Sequence, residues 1–245
     1  MFDNKKIMNR GKMQRSYAAV YERFYKSLRM SALFLNDGGG PFGFDITLAI
    51  EVDFLIRHYR CDGIIETGCN MGDTTEYLAS RYPQLSIISC DINKTFVYVA
   101  CRRCARRKNV SILYRPSPLV VGRFSRIFSF PFLFLDAHGS GEWPLISEIN
   151  NAGTGLFCIH DFNIKHPRFS YDAYDGIPCD FDLLREIRQS ISPVYTNNPM
   201  ARYPFPCLQI GRRSGRAYFT KGRSDAYLRG SQFFRRVKSS SSEVQ

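Results

Sequence analysis

Residues 63–75 read Gly63-Ile64-Ile65-Glu66-Thr67-Gly68-Cys69-Asn70-Met71-Gly72-Asp73-Thr74-Thr75. A short apolar run, closed by an acid and followed at once by glycines, is a buried strand entering a tight turn. Gly68 and Gly72 free the backbone to bend sharply and to approach a ligand closely. Asp73 or Thr74 can then cap a helix over 74–81. The same grammar continues downstream. Apolar runs at 86–91, 110–114, 130–136 and 155–161 are interleaved with helical patterns at 96–108 and 143–150. Strands alternating with helices specify an α/β fold built on a parallel, doubly wound sheet. Upstream, apolar spacing predicts helices over 14–35 and 46–60, separated by the loop Asn36-Asp37-Gly38-Gly39-Gly40-Pro41. Beyond the fifth strand, 181–190 reads as a helix. Residues 206–221 read as two strands joined by Arg212-Arg213-Ser214-Gly215, an antiparallel hairpin at the sheet edge.

In such sheets ligands bind beyond the carboxyl ends of the strands, where the strand order reverses. The first strand delivers Glu66 and the glycine turn to that end. The second ends at Asp91, placed to accept hydrogen bonds from ribose hydroxyls. The turn is G-x-x-x-G rather than the G-x-G-x-x-G of dinucleotide sites, and a carboxylate in front of it suits an ammonium group better than a pyrophosphate. The fourth strand runs into Asp136-Ala137-His138 and the fifth into His160-Asp161-Phe162-Asn163. Adjacent parallel strands bring these tips together, so Asp136, His138, His160 and Asp161 form a candidate catalytic constellation. Three roles stay open: a general base taking a hydroxyl proton, a divalent-metal site of mixed oxygen and nitrogen ligands, or groups that only support the fold.

Residues 60–220 resemble the class I S-adenosylmethionine-dependent methyltransferases. The E-T-G-x-N-x-G-D-T loop is similar to the E-x-G-x-x-x-G-x-T loop of small-molecule O-methyltransferases in that family. The resemblance implies a Rossmann-like, doubly wound, mostly parallel seven-stranded sheet with a terminal antiparallel hairpin, and S-adenosyl-L-methionine as cofactor. It places Glu66, Gly68, Asn70, Gly72 and Thr74 around the methionine part, Asp91 at the ribose and Ser117 near the adenine. The pattern Asp136-Ala137-His138 followed by His160-Asp161 further resembles metal-dependent O-methyltransferases of sugars, macrolides and catechols. It implies Asp136, His160 and Asp161 as ligands of a divalent metal, magnesium or manganese. His160 stands where the family usually has an acid. The acceptor implied is a hydroxyl of a small molecule or sugar.

Charge divides the chain. The net charge is +12, yet 1–30 carries eight Lys/Arg against Asp3 and Glu22, and 212–238 carries nine against Asp225, leaving a nearly neutral middle. This predicts a basic helical extension over 1–39, a methyltransferase-like domain over 40–222 and a basic, disordered tail over 223–245. Basic ends attract polyanions, which keeps nucleic acid as a partner and an RNA ribose 2′-O-methyltransferase as an alternative function. Asp136 and Lys165 fall where two members of that family's Lys-Asp-Lys-Glu tetrad would, but the late glutamate is missing. A non-catalytic binding protein on the same fold is a further alternative. No apolar run approaches the roughly 18–20 residues that span a bilayer. The polar N-terminus and eight cysteines read as a reduced, cytoplasmic protein. Cys101-x-x-Cys104 has no second pair to complete a zinc site.

Overall fold

The computed structural model describes residues 4–29, 39–137, 143–210 and 213–237. In chain order its elements are α1 (Asn4–Lys26), α2 (Ile46–Tyr59), β1 (Gly63–Thr67), α3 (Asp73–Arg81), β2 (Ser86–Asp91), α4 (Lys94–Arg103), β3 (Val110–Tyr114), α5 (Ser117–Phe124), β4 (Phe132–Leu135), α6 (Leu145–Asn151) and β5 (Gly155–Ile159). Then come the short strands β6 (Phe169–Ser170), β7 (Ala173–Tyr174) and β8 (Ile177–Pro178), followed by β9 (Tyr195–Asn197), β10 (Arg213–Ser214), β11 (Ala217–Lys221), α7 (Ala226–Gly230) and β12 (Phe234–Arg236).

The main sheet has eight strands in the order β3-β2-β1-β4-β5-β11-β9-β12. The first five in that order are parallel to one another. β11 runs antiparallel to both β5 and β9, and β12 antiparallel to β9. The order reverses between β1 and β4, so the crevice for a ligand lies above those tips. β1, β4 and β5 are buried along their whole length, as expected for parallel strands covered on both faces. The pleat sorts their side chains. Phe132 and Phe134 join a core with Val20 and Phe24 of α1, Leu55 of α2 and Tyr77 of α3. Leu133 and Leu135 join the opposite core with Val121 of α5 and Ile149 of α6.

Helix α2 starts where Asp45 caps it, its carboxylate accepting the Thr47 N–H at 2.9 Å. It is tied to the antiparallel edge by a buried ionic hub. Arg216, just before β11, donates from Nη1 to Asp45 Oδ2 at 2.8 Å and from Nη2 and Nε to the two oxygens of Glu51 at 2.9 and 3.0 Å. Tyr218 and Tyr203 each donate their hydroxyl to Glu51 as well. Burial alone would push the Asp45 carboxyl up. Arg216 and Arg213 outweigh it and hold Asp45 below its ordinary value.

The N-terminal helix α1 packs on the rest of the chain, with Val20 and Phe24 wholly buried in the same core as α2 and α3. Three expectations are corrected. The tail expected to be disordered from 223 is ordered through Val237, because Phe233 and Phe234 are buried and β12 completes the sheet; residues 238–245 lie outside the described residues. Of the hairpin expected over 206–221, the described residues 206–210 form no strand, and the sheet has eight strands rather than seven. Leu208 and Ile210 are exposed and have no core face to set a register. Arg213 and Ser214 instead pair with β6, and β11 takes its second partner from β9. Finally, 181–190 yields only a single 3-10 turn at Leu183–Glu186, where Leu184 alone is buried.

Candidate functional site

The turn after β1 sets the floor of the site. Gly68 has φ +73°, and a Cβ there would stand 2.3 Å from the Asp136 carbonyl oxygen, so only glycine lets the tips of β1 and β4 come this close. Gly72, at φ +78°, caps α3. The Gly68 and Cys69 N–H groups both donate to the Cys90 carbonyl, at 2.9 and 3.0 Å, which moors the turn to β2. Asp91 completes the mooring. Its carboxylate accepts the Asn70 N–H at 2.9 Å and the Asn93 N–H at 2.8 Å.

Glu66 is buried at the end of β1. Its Oε2 accepts hydroxyl hydrogens from Ser89, at 2.6 Å, and from Thr75. Burial pushes its carboxyl up to about 7. The Ser89 and Thr75 hydrogen bonds oppose that rise, and the charges of Asp136 and Asp91 add to it. Thr74 accepts the Phe42 N–H at 3.0 Å. That bond ties α3 to the Pro41–Phe44 turn, in which Phe42 and Phe44 hold φ +54° and +63°. Buried rings pin this costly backbone: Phe42 packs edge-on against Phe134 and Tyr77, and Phe44 stacks on Phe24.

Above β4 and β5 stand the acid and imidazole groups. The imidazole Nδ1 of His160 lies 2.8 Å from Asp136 Oδ1 and 3.2 Å from Asp161 Oδ2. Both neighbours are acceptors, so Nδ1 carries a hydrogen. Burial works against charge on this ring. Asp136 and then Asp161 outweigh it and hold the imidazole pKa well above its ordinary value. One ligand atom from each of the three residues lies within 4.8 Å of the others. Asp161 itself adopts φ +52°, and its carbonyl accepts the Asp172 N–H at 3.0 Å, folding the β6–β8 segment back over the tip of β5.

These parts meet in one cleft of about 160 Å³, lined by Glu66, Gly68, Asn70, Thr74, Asp136, His160 and Asp161, with Gly39, Gly40 and Gly43 as its roof. Its described lining holds four carboxylates and no Lys or Arg; one of them, Asp73, pairs with Arg103 at 2.7 Å. Such a wall suits a cation and repels a pyrophosphate. Seven of the residues expected from sequence are therefore brought together. Gly72 shapes the loop from behind. Asp91 is not among the lining residues and clamps the loop from outside, while Ser117 is buried at the start of α5, apart from the cleft. His138 lies outside the described residues. His166 takes no part: its Nδ1 accepts the Arg168 N–H at 3.2 Å. Sequence reasoning gives the glycine roof only the role of a boundary; the signal that marks it is Pro41-Phe42-Gly43-Phe44, aromatic residues alternating with glycine in a loop.

No protein-family model matches the sequence, and no curated protein matches it. Among solved structures the chain is similar to a SAM-dependent methyltransferase from Aquifex aeolicus, at 12% identity and TM-score 0.48 over 72% of this chain and 90% of that one. It is also similar to the magnesium protoporphyrin IX methyltransferase of Synechocystis with bound SAM, at 13% identity and TM-score 0.48 over 91% and 99%. A third likeness is to an rRNA methylase from Streptococcus thermophilus, at 12% identity and TM-score 0.44 over 72% and 97%. These are likenesses of fold and do not bear on the chemistry of the cleft. Among the described residues no helix is long and apolar enough to cross a membrane.

Proposed function

We propose that the protein is an S-adenosylmethionine-dependent methyltransferase acting on a hydroxyl oxygen. The observation that carries this reading is the acid-lined cleft in which the glycine turn of β1 faces the Asp136–His160–Asp161 cluster. The cofactor would supply a methyl group made electrophilic by a sulfonium. Glu66 and the Gly68–Thr74 turn would hold its amino-acid end. Asp91 would meet the ribose, since each of its oxygens keeps a second lone pair beyond the backbone N–H it accepts. Ser117 would lie toward the adenine.

The transfer would join an acceptor hydroxyl oxygen to that methyl carbon as its bond to sulfur breaks, and the hydroxyl proton would need a base among the chain's own residues. His160 Nδ1–H is committed to two carboxylates, so we assign the proton to Asp136 or Asp161, with His160 holding both in place. Most of the rate gain then comes from orienting the acceptor. The same three residues fit a divalent cation by donor type once the imidazole has given up its extra proton, since only the neutral ring ligates a metal. Two carboxylates and one imidazole favour manganese over magnesium, and such an ion would lower the hydroxyl pKa.

The test is transfer of labelled methyl to a panel of sugars, phenols and RNA, with and without chelator. Transfer to a hydroxyl that falls in Asp136→Asn supports the reading, and loss on chelation adds the metal. Full activity in both Asp136→Asn and Asp161→Asn overturns it.

A further inference from the structure

A second, larger cleft of about 430 Å³ lies on the other side of the β5 tip. Its floor is apolar, made by Phe162, Ile164 and Val237, and Phe181 stands half-buried at its side. Two exposed cations face it: Lys165 from the segment after β5 and Arg235 from β12, whose neighbour Arg236 turns to the opposite face of the strand beside Tyr195. Among the described residues no carboxylate lies within ion-pairing distance of Lys165 or Arg235, whereas the one acid in the lining, Asp182, is already paired with Arg185 at 3.2 Å. Unneutralised like charges around a concave apolar surface repel one another. They are stabilised when an anion fills the space between them.

We propose that this cleft binds a nucleoside phosphate, its phosphate between Lys165 and Arg235 and its base against Phe181. The volume falls in the range of small-molecule sites. An aromatic side chain beside a basic groove is the arrangement that stacks a base while tracking a phosphate. Lys165 is four residues beyond Asp161, so their Cα atoms are at most about 14 Å apart. A ligand held here by its phosphate is within a nucleotide or two of the reacting cluster. That it serves as the methyl acceptor rests on the methyltransferase reading; that the cleft takes a nucleoside phosphate does not.

The test is binding of UMP and of a uridine hexanucleotide to the full chain saturated with S-adenosylhomocysteine, which keeps the probes out of the cofactor cleft. Both should bind to the wild type, and the Arg235→Gln variant should lose roughly tenfold or more in affinity, about the change expected when a charge-assisted contact goes. Phe181→Ala should weaken UMP but leave inorganic phosphate unchanged. Lys165→Asn, which keeps a residue tolerant of the φ of +54° found there, should weaken both. A hexanucleotide that binds tenfold tighter than UMP, with steeper salt dependence, identifies an RNA strand as the source; equal affinities identify a free nucleotide. No binding to wild type, or unchanged affinity in the Arg235→Gln variant with its melting temperature retained, overturns the proposal. Nucleotide binding without any S-adenosylhomocysteine binding would sink the methyltransferase reading while leaving this one standing.

Discussion

The tip of β5 separates two clefts of opposite character. On one side four carboxylates and an imidazole line a small, glycine-roofed cleft, with its charged groups locked in hydrogen bonds. On the other, two cations without carboxylate partners among the described residues, Lys165 and Arg235, flank a larger apolar floor. The first is preorganised, since Glu66, Asp73, Asp136 and His160 already have partners. The second gains its partner on binding. On the proposed reading the cationic donor takes one side and the anionic ligand the other, with His160-Asp161 and Phe162–Lys165 as consecutive stretches of one segment.

Variants on the acidic side are expected to have the largest effects. Asp136→Asn should lower turnover by roughly 10²–10⁴-fold, the range for losing a proton acceptor, while UMP affinity stays within about twofold; single-turnover rates and UMP titration check both. Next comes the hub that joins β11 to α2. Arg216→Met leaves Asp45 and Glu51 buried without their cation and should cost about 3–5 kcal/mol in urea unfolding. Because Asp45 lies two residues beyond Gly43 of the glycine roof, S-adenosylhomocysteine affinity should fall more than UMP affinity does.

Glu66 gives a pH test. Its folded-state value, about 7, lies above the 4.5 of an exposed glutamate. Its neutral form therefore favours the fold fully below 4.5, and that contribution is lost as pH rises through about 7. Glu66→Gln should match the wild type at about pH 4 and exceed it in unfolding free energy from urea titration at about pH 8, by up to about 3 kcal/mol. A variant less stable than wild type at the higher pH would break the assignment. The smallest effect is expected from Arg235→Gln: roughly tenfold in UMP affinity, with no change in S-adenosylhomocysteine affinity.

The legible part of the sequence is local. β1 to β5 follow from short apolar runs bounded by turn residues, and their order in a right-handed α/β sheet places Glu66, Gly68, Asn70, Thr74, Asp136, His160 and Asp161 at one end. The illegible part depends on distant partners. β11 pairs with β9 and β5 rather than with its sequence neighbour, and Arg216 meets Asp45 across 171 positions. β12 is hidden because its three residues, Phe234-Arg235-Arg236, include two arginines and read as a charged tail. Asp91 is expected to face the ligand alone, yet its oxygens first serve the backbone of the loop. Charge counted over the whole chain marks the basic ends but cannot say that one of those arginines, Arg235, shares a cleft with Lys165.

The central claim is tested most directly by calorimetric titration of S-adenosylhomocysteine into the wild type and Gly68→Ala. At Gly68 a methyl group would strike the Asp136 backbone at 2.3 Å and the φ is +73°. One site per chain is expected in the wild type and at least a roughly hundredfold loss in Gly68→Ala, equivalent to some 2.7 kcal/mol, with circular dichroism unchanged. Absence of binding to the wild type, or equal binding by a folded Gly68→Ala protein, would contradict the claim.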